Sequence, residues 1–151
     1  NYGAAKLGIH GLALALMHEG AACGIKVNTV APSAASRLAA TAVSAANLAA
    51  MSPALVAPVV AYLCHESCPV SGGLLEAGMG HVDCVRFQRS RGVNFGPGGF
   101  QPEDVAARWH DLSDMTGGYS PSTFAEIMAP FEVNLPEPMV FARAPKPRGE
   151  P

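Results

Sequence analysis

Tyr2 and Lys6 are the residues of this chain whose types and spacing best suit chemistry. They lie four positions apart at the start of a long apolar segment. In a helix, positions i and i+4 share one face, so the ammonium of Lys6 is expected beside the phenol of Tyr2. A neighbouring positive charge favours the ionised phenolate. The spacing therefore predicts a group that can exchange protons near neutral pH.

The segments that follow must position this pair. The apolar pattern from Tyr2 to about Ala22 predicts a helix with almost no polar face, which we expect to be buried on more than one side. Residues 25–30 predict a short strand, and residues 31–33 a turn. Residues 34–51 are mostly small and only weakly helical.

Later segments have recognisable boundaries. Ser52 and Pro53 predict the N-cap and first residue of a helix. Residues 72–77 predict a second strand, and residues 82–93 an exposed strand or hairpin arm. Two further helices are predicted to open at Pro102 and near Ser120.

The order of these motifs resembles the C-terminal half of a short-chain dehydrogenase/reductase. The Tyr-x-x-x-Lys helix is followed by Val-Asn-x-Val-x-Pro at residues 27–32. Residues 1–6, 28–37 and 62–78 are similar to the (3R)-hydroxyacyl-CoA dehydrogenase part of the multifunctional enzymes type 2 of β-oxidation. The resemblance extends more weakly to about Met128.

The resemblance implies a role for each candidate residue. Tyr2 would exchange the proton on the substrate oxygen, and Lys6 would also bind the ribose of a nicotinamide cofactor. Val30, Pro32 and Ser33 would lie against the nicotinamide. The implied cofactor is NAD, with NADP left open, and the implied reaction is oxidation of (3R)-3-hydroxyacyl-CoA to 3-ketoacyl-CoA.

The implied architecture is α/β: the C-terminal part of a Rossmann-like doubly wound parallel sheet, with a small helical extension and a disordered tail. Residues 1–80 would be the C-terminal half of the dehydrogenase domain, and residues 81–130 an extension with a strand or arm and two helices. Residues 131–151 are proline-rich and predicted to be disordered. The implied partners are an acyl-CoA substrate and a second copy of the chain, bound through the Tyr2–Ala22 helix.

Three parts of the usual dehydrogenase do not occur in this sequence. They are a glycine-rich nucleotide turn, an acidic residue that selects NAD, and a serine before the catalytic tyrosine. We therefore expect this chain by itself to be inactive or nearly so. The alternative interpretation is a non-catalytic truncated domain or an interaction module.

Composition excludes several other classes of protein. The net charge is −2 and the ten Lys and Arg residues are scattered, so a nucleic-acid partner is not expected. No apolar run reaches the roughly 20 residues that span a membrane, and no secretory signal is visible. We expect a soluble intracellular protein, cytoplasmic in a bacterium or peroxisomal in a eukaryote, although no C-terminal peroxisomal signal is seen.

Cys64, His65 and Cys68 have a spacing that could contribute to a zinc site. A fourth ligand is needed, and no second cluster with suitable spacing follows. Free thiols are the better interpretation for the four cysteines, and no metal is predicted.

Overall fold

The computed structural model describes residues 1–137 and residue 139. The chain divides into two compact units, one of residues Asn1–Val85 and one that starts at Arg86. Most of the predicted disordered tail, residues 138 and 140–151, lies outside the described residues.

The first unit contains three helices and a three-stranded sheet in the order β1-β2-β3. Its helices and strands are α1 (Tyr2–Gly20), β1 (Thr29–Pro32), α2 (Ala45–Ala50), α3 (Ala57–Leu63), β2 (Leu74–Gly78) and β3 (His81–Val85). The second unit contains α4 (Pro102–Ala107), α5 (Trp109–Ser113) and α6 (Phe124–Glu132). The predicted α/β class is confirmed.

Helix α1 begins where the sequence predicts it and ends close to the predicted position. Asn1 is the N-cap, and its carbonyl accepts a hydrogen bond of 2.9 Å from the amide of Ala5. A 3₁₀ turn follows over Ala21–Cys23, and Gly24 then takes a left-handed conformation with φ of 69°. Glycine adopts this conformation without steric cost, so Gly24 ends the helical segment.

Within the described residues, α1 is covered on one side only, so its predicted burial on more than one side stays a prediction. Leu7, Ile9, Leu12 and Leu16 are 44–60% exposed, while His10 is buried with 6% of its surface exposed. These four apolar side chains lack protein cover among the described residues, whereas Leu14 and Met17 are half-buried. An uncovered apolar surface of this kind is typical of an interface.

Strands β1 and β2 form a parallel pair, and strands β2 and β3 form an antiparallel pair. The first strand starts at Thr29, four residues later than predicted. The preceding residues make other contacts instead: the amide of Ile25 donates to the carbonyl of Gly20, and the side chain of Asn28 forms long-range hydrogen bonds to the segment before β2. The predicted hairpin arm forms a strand only over β3, with all five residues exposed.

The predicted helix after Ser52 is divided into two. The Ser52 hydroxyl accepts a hydrogen bond from Ala54, and a 3₁₀ turn covers Pro53–Leu55 before α3 begins. Pro58 has no amide hydrogen to donate to the carbonyl four residues earlier, so a continuous α-helix through this point would lack one bond. The predicted helix is therefore divided because Pro58 follows Pro53 in this segment.

The helices of the second unit also differ from the predicted ones. The helix that opens at Pro102 is interrupted at Arg108, so α4 and α5 are separate. Helix α6 starts at Phe124 because Thr123 and Glu126 form a capping box, in which each side chain accepts a hydrogen bond from the other residue's amide. The start near Ser120 was predicted four residues too early.

The turn after β1 passes close to the end of β2. The amide of Ser33 donates to the carbonyl of Ala77 at 2.8 Å. A Cβ atom placed on Gly78 would lie 2.7 Å from the Cβ of Ser33 and would also overlap the Ser33 carbonyl oxygen. Only glycine at position 78 allows this approach.

We predict that Gly78→Ala lowers the free energy of unfolding by about 1–3 kcal/mol, because the Ser33 turn must move to admit the methyl group. Urea denaturation followed by circular dichroism measures the change. The control is Gly11→Ala in α1, where a Cβ meets no atom within 4 Å. That substitution is expected to be neutral or to stabilise by up to about 1 kcal/mol. Equal effects of the two substitutions would contradict the prediction.

A second prediction concerns the start of α6. Hydrogen bonds from the amide and hydroxyl of Ser122, and from the amide of Thr123, lower the pKa of Glu126 from its ordinary 4.5. Because the folded pKa is depressed, the stabilisation is complete above pH 4.5 and is lost as the pH falls through the folded value. The protection of the Ser122 and Thr123 amides against exchange, expressed relative to the intrinsic exchange rate at each pH, should therefore decrease as the pH falls through the folded pKa of Glu126.

Glu126→Gln should remove this pH dependence by removing the titrating carboxylate. Glu103→Gln, which makes the same charge change in α4, should leave it intact. Persistence of the pH dependence in the Glu126 variant would show that another group is responsible.

Candidate active site

Helix α1 places Tyr2 and Lys6 side by side. The ammonium nitrogen of Lys6 lies 5.4 Å from the centre of the Tyr2 ring. This distance is within the range of a cation–π contact. The predicted helical neighbourhood of the two side chains is present, and a phenol next to a cation is an arrangement that can take part in proton exchange.

The same pair is open to water. Tyr2 is 65% exposed, and Lys6 is also exposed. No acidic partner within salt-bridge distance of Lys6 is present among the residues that the structure describes. The ammonium is thus available to a hydroxyl-bearing ligand.

Val30, Pro32 and Ser33 form the second group of predicted site residues, at the carboxyl end of β1. Val30 is half-buried opposite Leu75 of β2, while Pro32 and Ser33 are exposed. The parallel ladder ends at Pro32 and Ala77, and the hydrogen bond from Ser33 to Ala77 continues it by one step. In open α/β sheets, ligands bind at the carboxyl ends of the strands, which is where this turn lies.

His10 connects α1 to β1. Its Nδ1 atom lies 3.0 Å from the hydroxyl oxygen of Thr29, which is the first residue of the strand. The buried His10 therefore has a definite hydrogen-bonding partner. This contact joins the helix that carries Tyr2 and Lys6 to the strand that carries the turn.

Asn28 fixes the alignment of the two parallel strands. Its side-chain amide donates to the carbonyl of Val70 at 2.9 Å, and its side-chain oxygen accepts from the amide of Gly73 at 3.0 Å. In the sequence, Asn28 is recognisable only as part of the Val-Asn-x-Val-x-Pro motif, which does not predict this role. Its position directly before the strand was the available signal.

The cysteine cluster has no metal-site geometry. Cys64 is exposed and Cys68 is fully buried, and both are free thiols. The Nδ1 atom of His65 lies 2.8 Å from the Ser67 hydroxyl. Within the described part of the chain, no group of three or more His, Cys, Asp or Glu side chains could hold a metal ion.

None of the helices in the described part of the chain is both long enough and apolar enough to cross a membrane.

Comparison with protein-family models gives no match. Comparison with individual proteins gives several. The chain is 41% identical over 128 residues to peroxisomal multifunctional enzyme type 2 of Mus musculus, which covers 83% of this chain and 17% of the mouse protein. It is 43% identical over 118 residues to a putative short-chain type dehydrogenase/reductase of Mycobacterium tuberculosis, covering 78% of this chain and 41% of that protein.

Solved structures give the same result. Full-length peroxisomal multifunctional enzyme type 2 from Drosophila melanogaster matches with a TM-score of 0.75 and 30% identity, over 87% of this chain and 24% of that one. A short chain dehydrogenase from Mycobacterium avium matches with a TM-score of 0.56 and 29% identity, over 82% of this chain and 39% of that one.

The chain therefore spans less than half the length of each of these relatives. Over most of its own length it is similar to a segment of peroxisomal multifunctional enzyme type 2 and of short-chain dehydrogenases, which confirms the resemblance recognised in its sequence.

Proposed function

We propose that this chain is the catalytic-residue half of an NAD-dependent short-chain oxidoreductase that oxidises (3R)-3-hydroxyacyl-CoA to 3-ketoacyl-CoA. The observation that carries the proposal is the contact of the Lys6 ammonium with the Tyr2 ring. The names of two relatives support the substrate class, since both are peroxisomal multifunctional enzymes type 2.

In the proposed reaction, the Tyr2 oxygen accepts the proton of the substrate hydroxyl. The positive charge of Lys6 stabilises the phenolate form of Tyr2 that accepts this proton. The Lys6 ammonium also donates hydrogen bonds to the ribose of the cofactor. NAD, with NADP as the open alternative, would supply the acceptor for the hydride that leaves C3 of the substrate.

The residues at the end of β1 suit the nicotinamide half of such a cofactor. Gly78 lacks a side chain where the turn approaches it, and the exposed Pro32 and Ser33 leave a surface at the strand end. We assign Val30, Pro32 and Ser33 to contact with the nicotinamide. The domain division at residues 80 and 130 stays part of this proposal.

We also propose that activity requires protein surface beyond these 151 residues. The sequence supplies no glycine-rich nucleotide turn and no serine preceding Tyr2. The chain by itself is therefore expected to be inactive. A homodimer through α1 would cover the exposed apolar residues Leu7, Ile9, Leu12 and Leu16.

The second candidate function is a non-catalytic module that binds another protein through the same face of α1. The exposure of that face is the observation that favours it. For the enzyme, we propose a peroxisomal location in a eukaryote or a cytoplasmic one in a bacterium; the names of the Mus musculus and Drosophila melanogaster relatives place those proteins in peroxisomes.

The test compares two polypeptides: the 151-residue chain, and the same chain preceded by a nucleotide-binding half of a short-chain dehydrogenase. Each is incubated with (3R)-3-hydroxyacyl-CoA and NAD, and formation of NADH is followed by absorbance. We expect NADH from the longer polypeptide and little or none from the shorter one. Absence of NADH from both, with either stereoisomer of the substrate, would reject the substrate assignment.

In the active polypeptide, Tyr2→Phe is expected to lower kcat by about 10²–10⁴-fold, because the proton acceptor is lost. Lys6→Met is expected to lower kcat and raise the KM for NAD together. Tyr62→Phe, a change at an exposed tyrosine of α3, serves as the matched control and should leave both constants unchanged. Wild-type kcat in the Tyr2 variant would reject the proposed mechanism.

A further inference from the structure

The second unit contains a cleft of about 700 Å³ that the proposed reaction does not use. Two arginines and four aromatic residues contribute to its lining: Arg89, Arg91, Phe95, Phe100, Tyr119 and Phe131. None of the described aspartates and glutamates lines it. The cleft is therefore a positively charged, aromatic surface.

The backbone fixes both arginines toward the same region. Arg89 and Tyr119 exchange two backbone hydrogen bonds, of 2.8 and 3.0 Å. Between the arginines, the Ser90 hydroxyl donates to the carbonyl of Leu112 at 2.7 Å. Arg89 and Arg91 are two positions apart in an extended segment, where such side chains point to the same side, and both line the cleft.

The two guanidinium groups lie over the same ring. Their central carbon atoms are 5.9 Å (Arg89) and 5.1 Å (Arg91) from the centre of the Tyr119 ring. Arg89 is also 5.8 Å from the Phe131 ring and donates to the carbonyl of Ile127 at 3.0 Å. Stacking on aromatic faces holds an arginine in place while leaving most of its donors unused.

These positive charges lack a compensating carboxylate. Within the described part of the chain, the acidic side chains that form ion pairs do so with His81, Arg108 and His110, and none pairs with Arg89 or Arg91. Two adjacent guanidinium groups without an acidic partner are favourable for a doubly charged anion such as a phosphate.

Another part of the cleft lining suits a planar ring. Phe95 and Phe100 stack with a centroid distance of 4.4 Å and an angle of 21° between their planes, and Phe100 is 53% exposed. Beside them, the Asn134 side-chain amide donates to the side-chain oxygen of Asn94 at 3.0 Å. Stacked aromatic rings and carboxamides are the surfaces on which nucleic-acid bases are commonly bound.

We propose that this cleft binds a phosphorylated nucleoside, with the phosphate at Arg89 and Arg91 and the base on the ring of Phe100. A free inorganic anion would gain nothing from the aromatic rings, and a purely apolar ligand would leave both guanidinium groups without a partner. The proposal uses no residue of the Tyr2–Lys6 site and stands independently of the proposed function.

Isothermal titration calorimetry of the full 151-residue chain tests the proposal with three probes: adenosine 3′,5′-bisphosphate, adenosine and inorganic phosphate. We expect the bisphosphate to bind at least tenfold more tightly than either of the others, because only it contacts both parts of the cleft. Arg91→Gln should weaken its binding about tenfold or more. Phe100→Ala should weaken the binding of bisphosphate and adenosine but not of phosphate.

The matched control is Arg86→Gln, which removes the same charge from an exposed position outside the cleft and should leave the affinity unchanged. Arg91→Lys keeps the positive charge and should retain part of the affinity for the bisphosphate. Far-ultraviolet circular dichroism verifies that each variant is folded. Three results would overturn the proposal: no binding of the bisphosphate, equal binding of phosphate and bisphosphate, or unchanged affinity in folded Arg91→Gln.

Discussion

The first unit depends on the parallel pairing of β1 with β2, which the side chain of Asn28 aligns at its beginning. A parallel pair has no connecting hairpin turn to set its register. Asn28 sets the register, because its side chain forms hydrogen bonds with Val70 and Gly73 in the segment that leads into β2. Gly73 contributes by lacking a side chain, since a Cβ there would lie 3.2 Å from the Asn28 oxygen. The position of the Ser33 turn follows from this alignment, because the ladder carries it to the end of β2.

The sheet is too small to cover the helices that accompany it. Among the described residues, the buried apolar side chains are those of Val56, Cys68 and Ala77. Most large apolar side chains of α1 face solvent. Burial of apolar surface is the main favourable term in folding, so a unit with so little of it gains stability from any further surface it contacts. The relatives are all considerably longer than this chain, which is consistent with such surface being supplied by other parts of a larger protein.

The sequence alone predicted the features that arise from local periodicity. The apolar pattern of α1 and the four-residue spacing within it predicted that Tyr2 and Lys6 lie together, and the short segment of residues 72–77 predicted β2. The predicted helix boundaries were wrong where one or two residues override the local periodicity. Pro58 divides the predicted helix after Ser52, and the Thr123–Glu126 capping box moves the start of α6. The contact of His10 with Thr29 joins residues 19 positions apart, and no local pattern contains that information.

The exposure of Tyr2 connects the fold to the proposed activity. Two unit charges 4 Å apart interact by only about 1 kcal/mol in bulk water, and by about 4 kcal/mol at the lower effective dielectric constant near a protein surface. In this chain, Tyr2 and Lys6 both face water. A cofactor and further protein surface placed over the pair would displace water and strengthen the same interaction without moving either residue. The spacing of the two side chains therefore provides the geometry for acid–base chemistry. The strength of the electrostatic interaction between Lys6 and Tyr2 depends on what covers them.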